Sequence, residues 1–227
     1  MRFWKDNRVF LWHVIVWFTA IGIALCLVDK ATLHLSLNAL HTAWLDTLLV
    51  HYSTLVNWAP YVLIVILLFY KVGDALFILA AHLLSTIVVQ ITKYTVCAPR
   101  PASFFEGNAD FQQILIDGVR LHEHLSFPSG HTATFFSILF AVAVLFCHNK
   151  KDRPAYQKDL FATMCFYLAL LGGYSRIYMS QHFLLDVFAG GLIAVISVGI
   201  VYWFVQHFAL NERVWWNQPV ALSKRRK

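Results

Sequence analysis

Residues 9–28 contain no Asp, Glu, Lys or Arg. A stretch of that kind fits a bilayer. Its hydrocarbon core is about 30 Å thick and takes about 20 residues of helix, and a helix leaves no backbone group open to lipid. Five further apolar runs follow at 55–71, 74–93, 130–148, 160–176 and 184–208, each edged by charged residues. The expectation is an all-α, six-transmembrane-helix bundle forming one domain over residues 1–227, with no internal repeat or linker. The first run is too long for a signal-peptide core and lacks a small-x-small cleavage site, so it reads as a retained span. Composition agrees. Hydrophobic residues make up 59% of the chain and charged residues 13%, against roughly 25% charged in soluble domains. A water-soluble chain this apolar could not cover its surface.

A net charge of +6 would suit nucleic acid, but the basic residues gather at the ends of the apolar runs. That pattern sets membrane orientation, and no nucleic-acid partner is expected. Thirteen of the 18 Lys and Arg fall in one set of alternate connections, among them Lys150, Lys151 and the Lys224, Arg225, Arg226, Lys227 tail. Positive charge stays inside, so both termini are expected in the cytoplasm. The other five are Lys30, Lys93, Arg100, Arg120 and Arg176. The second span is expected to start its helix near Trp58, Ala59 and Pro60, since proline suits a first turn. Before it, Leu40, Trp44, Leu45, Leu48 and Leu49 recur at helical spacing and predict an amphipathic piece on the outer surface. The fifth run is the shortest, which would put Arg176 at the membrane surface. Trp215 and Trp216 read as an interfacial anchor on the inner side. Cys26, Cys147 and Cys165 lie in apolar runs and are expected to be buried packing; Cys97 has no partner, and no cysteine spacing resembles a zinc site.

Three polar clusters fall on the predicted outer side. Lys93 precedes Arg100 and Pro101 by six intervening residues at the exit of the third span. Pro128, Ser129, Gly130 and His131 open the fourth. Ser175 and Arg176, then five residues, His182, three residues and Asp186 join the fifth span to the sixth. Taken singly, each has a plain reading: a snorkelling lysine, a turn before a helix, a structural ion pair. Their convergence at the outer ends of helices 3–6 does not, and ionisable residues at membrane depth mark functional sites. The three cations suit phosphate oxygens, two of them as forked guanidiniums. Ser129 can cap the fourth helix, and Gly130 lets a ligand approach the positive end of its dipole. His182 and Asp186, four apart, share a helical face, so the carboxylate can hold one ring nitrogen and leave the other basic. His131 supplies a second imidazole as a proton donor.

Lys-x6-Arg-Pro, Pro-Ser-Gly-His and Ser-Arg-x5-His-x3-Asp together resemble the signature of the type 2 phosphatidic acid phosphatase family, shared with soluble acid phosphatases and vanadium haloperoxidases. The match has no departure in its eleven specified letters. The resemblance implies His182 as a nucleophile that becomes phosphorylated, Asp186 as its orienting partner and His131 as the acid on the leaving oxygen. It implies Lys93, Arg100, Ser129, Gly130 and Arg176 as phosphate ligands, with neither metal nor cofactor required. It also implies a lipid phosphate substrate, a bacterial inner-membrane location and a site facing the periplasm. An anion transporter would explain the cations but not the His–Asp pair beside a second His. Haloperoxidase chemistry is disfavoured by the six spans, and phosphoryl transfer to another lipid stays open. The layout resembles enzymes acting on lipid A phosphates, undecaprenyl pyrophosphate or phosphatidylglycerol phosphate, in that order.

Outside the signature, His122 and His124 are expected to be solvated loop residues, and His13 and His82 to form helix–helix hydrogen bonds. The apolar residues of loop 102–127, among them Phe104, Phe105, Phe111, Ile114 and Leu115, suit lipid contact and core packing equally.

Overall fold

The computed structural model describes residues 2–39, 41–149 and 153–220. Leu40, Lys150, Lys151 and the basic tail 224–227 therefore lie outside the described residues. In chain order the helices are α1 (Arg2–Asp6), α2 (Arg8–Leu27), α3 (Lys30–Leu37), α4 (Ala43–Thr54), α5 (Ala59–Leu68), α6 (Val72–Val96), α7 (Pro101–Phe104), α8 (Ala109–Gln113), α9 (Gly130–Asn149), α10 (Ala155–Tyr178) and α11 (Leu184–His207). Short 3₁₀ turns occupy Leu55–Asn57, Leu210–Glu212 and Trp215–Asn217.

Helices α2, α6, α9, α10 and α11 are each long and apolar enough to cross a bilayer. Helix α5 has 10 residues, about 15 Å at 1.5 Å per residue, too short to cross alone. Helix α4 and its 3₁₀ turn meet it across a 47° bend, and only together, as one bent pair, are they long and apolar enough for a sixth span. The break has a cause in Pro60, which sits in the first turn of α5 and cannot donate to a preceding turn. Helix α4 covers the stretch where an amphipathic piece was expected around Leu45 and Leu49. It packs along α10 with Leu49 and Ser53 buried, and of its large apolar residues only Trp44 and Leu48 are exposed.

Helix α9 packs on α6, α10 and α11, and α11 packs on α6 and α10, with α2 laid across α10 and α11. On α11 the periodicity is plain: Gly190, Ala194, Val198, Val201 and Val205 are buried, while Leu192, Ile196, Ile200 and Trp203 are exposed. An outward apolar stripe needs no water in hydrocarbon, so this face costs nothing there. Small residues set the approach. A Cβ on Gly173 of α10 would fall 2.9 Å from Cγ1 of Val187 on α11.

Several expectations need correction. Cys26 is exposed on α2, whereas Cys147 and Cys165 are buried. His13 bonds the Val9 carbonyl of its own helix at 2.8 Å, not a neighbouring helix. His82 meets Tyr61 of α5 edge-on at 6.0 Å between ring centroids, without a hydrogen bond between them. Helix α10 has 24 residues, so the fifth span is not short, and Arg176 lies in its last turn, buried within the protein. Trp216 is no interfacial anchor. It is buried against the start of α6 because Gly73 leaves it a slot, where a Cβ would lie 2.0 Å from the indole Nε1. Trp215 remains exposed.

Candidate active site

Helix α6 delivers Lys93 to its last turn and ends at Cys97, which takes the left-handed conformation at φ 50° and donates its amide to the Lys93 carbonyl. That reversal starts an extended stretch. Arg100 N donates to Glu123 O at 2.8 Å, and Ser126 N donates to Ala98 O at 2.9 Å. Two backbone bonds thus tie the first cluster to the approach of the second. The Lys93 ammonium, itself buried, donates to the Leu125 carbonyl at 2.5 Å. Arg100 donates through Nε to His124 O at 2.8 Å and through Nη1 to the main-chain and side-chain oxygens of Gln181 at 3.2 and 3.3 Å. Gln181 in turn donates to Arg120 O at 2.9 Å. Loop 102–127 (the roof loop) and the turn before His182 therefore share one guanidinium and one amide.

Ser129 stands at the N-terminus of α9. Its Oγ accepts from the Thr132 hydroxyl at 2.8 Å and the Thr132 amide at 3.4 Å, which caps the helix and leaves its own hydroxyl proton to give. Its amide donates to Asp186 O at 2.9 Å. This junction demands a glycine across from it, because a Cβ on Gly190 would lie 2.4 Å from Ser129 O. At Gly130 the protein itself asks for nothing of the kind. A Cβ there would make ordinary contact with Val89 at 3.7 Å. What the missing side chain leaves free is approach to the first amides of α9, where the helix dipole favours an anion. His131 follows on the same turn, within electrostatic range of Arg176, His182, Arg100 and Lys93.

The third cluster turns back from α10 into α11. Arg176 O accepts from both Gln181 N and His182 N, which folds the five intervening residues into a tight loop. Ser180 in that loop has φ 51°. Leu125 at 58° and Cys97 at 50° are also left-handed. Three of the four such non-glycine residues among the described residues therefore sit in the segments that carry the site, where backbone strain is commonly held by surrounding structure. Arg176 Nη1 donates to Ser53 Oγ of α4 at 2.8 Å, while its Nε is buried without an acceptor. Among the described residues no hydrogen bond or ion pair joins Arg176 to Asp186.

His182 is 2% exposed, and its Nδ1 lies 3.4 Å from Asp186 Oδ2. That is long for a hydrogen bond, as catalytic pairs often are before substrate tightens them. Asp186 is itself fixed: Oδ2 accepts from Ser126 Oγ at 2.5 Å and from Phe183 N at 2.9 Å. Burial, together with Arg100 and Arg176 and against the pull of Asp186, pushes His182 down to about 3. A neutral imidazole with one free nitrogen is therefore the form present near neutrality. Lys93 and Arg100 lie within electrostatic range of Asp186, and Arg100 and Arg176 within that of His182. Such a cluster of cations suits a phosphate dianion, which can spread its charge over fixed donors while a nitrogen attacks.

Sequence reasoning missed the braces. Ser126, Gln181 and Ser53 hold catalytic candidates by hydrogen bonds, and none carries a local signal beyond being a small or polar residue near a cluster. Helix α3 was missed altogether. Asp29 caps it, with Oδ1 accepting from the Ala31 and Thr32 amides. His34 lies buried against Phe105, Phe111 and Phe183, with Nε2 3.3 Å from Ser180 Oγ. Asn38 donates to Ile177 O at 2.9 Å. Burial holds His34 neutral, at about 4. Phe105 and Phe111 thus belong to core packing, with Ile114 and Leu115 against them, while Phe104 stays partly exposed. His122 is exposed, yet slight burial and the charges of Arg100, Arg120, Arg176 and Lys93 lower its pKa. His124 pairs loosely with Glu123 at 3.8 Å in solvent.

Fold and site together define a class, the multi-pass membrane phosphatases built wholly from helices. The chain belongs to the PAP2 superfamily, whose model matches residues 74–209. It is similar to the crystal structure of Aquifex aeolicus LpxE at 28% identity and a TM-score of 0.59, over 76% of this chain and 94% of that one. A transmembrane PAP2-type phosphatidylglycerolphosphate phosphatase from Bacillus subtilis shares the fold, with a TM-score of 0.61 at 19% identity over 86% of this chain and 95% of that one. The bacitracin transport permease protein BcrC of Bacillus licheniformis is 40% identical over 78 residues, which are 34% of this chain and 32% of BcrC. The match thus spans about a third of that relative's length.

Proposed function

We propose that this protein hydrolyses a lipid phosphate through a phosphohistidine intermediate, and the pairing of buried His182 with Asp186 inside a ring of three cations carries the reading. Lys93, Arg100 and Arg176 hold the phosphoryl oxygens, with the unpaired Arg176 Nε, the Ser129 hydroxyl and the first α9 amides completing the cradle. The free nitrogen of His182 attacks phosphorus. The P–O bond to the lipid breaks, and His131 gives its proton to the departing oxygen. Asp186 stabilises the imidazole as it gains positive charge. His131, now basic, takes a proton from water, whose oxygen attacks the phosphohistidine and releases phosphate. Substrate candidates remain lipid A phosphate, undecaprenyl pyrophosphate and phosphatidylglycerol phosphate or phosphatidic acid.

Because the cations supply the charge compensation, phosphate release from a lipid phosphate in detergent micelles is expected to continue in excess EDTA. Micromolar vanadate, which takes the five-coordinate geometry of the transferring group, is expected to inhibit it. Activity lost in EDTA and restored by magnesium would reject this mechanism.

The proposed setting is a bacterial inner membrane with both termini cytoplasmic and the site facing the periplasm. The 13 basic residues on one set of connections support it. An impermeant thiol reagent applied to intact spheroplasts is expected to label Asp110→Cys, in the roof loop. Labelling only after the membrane is breached would reverse the orientation.

A further inference from the structure

Helix α3 lies outside the segment that the family model matches. It nonetheless packs against α10 and α11, the two helices that flank the His182 loop. Lys30, His34 and the C-cap residue Asn38 recur every fourth residue, so they share one face. That face lies along loop 177–183. The Lys30 ammonium sits 3.6 Å from the ring centroid of Phe183. His34 Nε2 is 3.3 Å from Ser180 Oγ, and Asn38 Nδ2 donates to Ile177 O at 2.9 Å. Asn38 Nδ2, which can only donate, also lies 3.3 Å from His34 Nε2. That nitrogen is therefore the acceptor, and the Ser180 hydroxyl donates to it. Burial, against the pull of Asp186 and with the push of Lys30, holds His34 at about 4, so the acceptor is intact near neutrality.

The loop needs holding. The His182 ring meets Asp186 only at 3.4 Å, so the backbone largely sets where the nucleophile points. That backbone includes Ser180 at φ 51°, a conformation that surrounding contacts must keep. On one side Gln181 is tied to Arg100 and Arg120. The side-chain hydrogen bonds that reach Ile177 and Ser180 come from α3.

Simple cover would not use these residues. His34 and Asn38 are 1% and 0% exposed, and His34 Nδ1 and Asn38 Oδ1 are buried without a partner among the described residues. Such groups cost stability, where apolar side chains would cover the loop without that penalty. What they add is direction, a bond to the residue two before the nucleophile. We propose that α3 is a splint for the nucleophile, with His34 and Asn38 as positioning residues that hold His182 in line for attack through Ser180 and Ile177. On the phosphatase reading above, on which this rests, Lys93, Arg100 and Arg176 bind the phosphate from other elements. Loosening α3 therefore slows attack on a phosphate that is still bound.

The test compares His34→Leu, His34→Gln, Ser180→Ala and the double variant of His34→Leu with Ser180→Ala, each as the purified full chain in mixed micelles. The substrate is whichever of dioctanoyl phosphatidic acid and farnesyl diphosphate the wild type turns over faster. His34→Leu is expected to lower kcat by about tenfold or more with KM within about twofold, since a 1 Å misplacement costs up to about 100-fold. His34→Gln, whose amide oxygen can accept from Ser180, is expected to recover most of that loss. Ser180→Ala should fall as His34→Leu does, and the double variant no further. Unchanged kcat in folded His34→Leu protein, a loss confined to KM, a glutamine no better than leucine, or additive losses in the double variant would each overturn the splint while the phosphatase reading stands. Should the His34 variants fail to fold, Lys30→Met at the exposed start of α3 decides. A fall in kcat of about threefold at constant KM supports the splint, on the scale of a lost cation–π contact, and an unchanged kcat overturns it. Phosphate release from neither substrate by the wild type would instead sink the phosphatase reading itself.

Discussion

His182→Ala protein forms no covalent phosphoenzyme with any substrate, and its turnover falls by at least about 10⁴-fold, as when a nucleophile is removed from a triad-like site. His131→Ala behaves differently. It slows departure of a lipid alkoxide severely but still labels with p-nitrophenyl phosphate, whose leaving group needs no proton. The geometry motivates the split. His182 is sealed at 2% exposure with a carboxylate behind it, whereas His131 stands in the wall of a cleft between the bent second span and helices α6 and α9. Acid should not silence the nucleophile early, because His182 is held down at about 3 and remains neutral well below its ordinary range. Rapid-quench trapping with ³²P-labelled substrate reads the outcome directly. A labelled His182→Ala protein beside an unlabelled His131→Ala protein would mean that the two imidazoles have exchanged roles.

Asp186→Asn is expected to lower kcat on the order of 10³- to 10⁴-fold while KM changes little, since the amide keeps the shape but loses the charge that stabilises the imidazolium. Ser126→Ala removes one of the two donors that fix the carboxylate and should cost about tenfold. The two substitutions should be non-additive, because Ser126 acts only through Asp186. Single-turnover rates of the double variant settle this. Full additivity would mean that Ser126 supports some other group.

Much of this architecture was legible before any coordinates. Charge-free runs announce spans because lipid tolerates few alternatives, and the spacing of Lys93, Arg100, Arg176, His182 and Asp186 brings those residues to one end of the bundle. The bend near Asn57 was hidden because Pro60 fits both a helix start and a break within a longer span. Trp216 was misplaced because a sequence cannot show the slot at Gly73 that takes its ring. His34 and Asn38 were passed over since an eight-residue helix in an outer connection has no periodic signature strong enough to show which side is covered. Ser53, Ser126 and Gln181 act through single hydrogen bonds to groups far away in sequence, and no local pattern encodes such a partner.

Every residue proposed to touch the phosphoryl group lies between Lys93 and Asp186, inside the 74–209 segment that the family model matches. The preceding third supplies none of them. It contributes Ser53 against Arg176, His34 and Asn38 under the His182 loop, and Asn57 and Tyr61 in the cleft wall. The proposed phosphate-handling residues and several groups that brace them are therefore written in successive stretches of the gene, with the seam at the turn before α6. Recombination at that seam would exchange the braces of Arg176 and of the His182 loop as a unit, so a chimera joined there would keep every residue proposed to touch the phosphoryl group while changing what holds two of them in place.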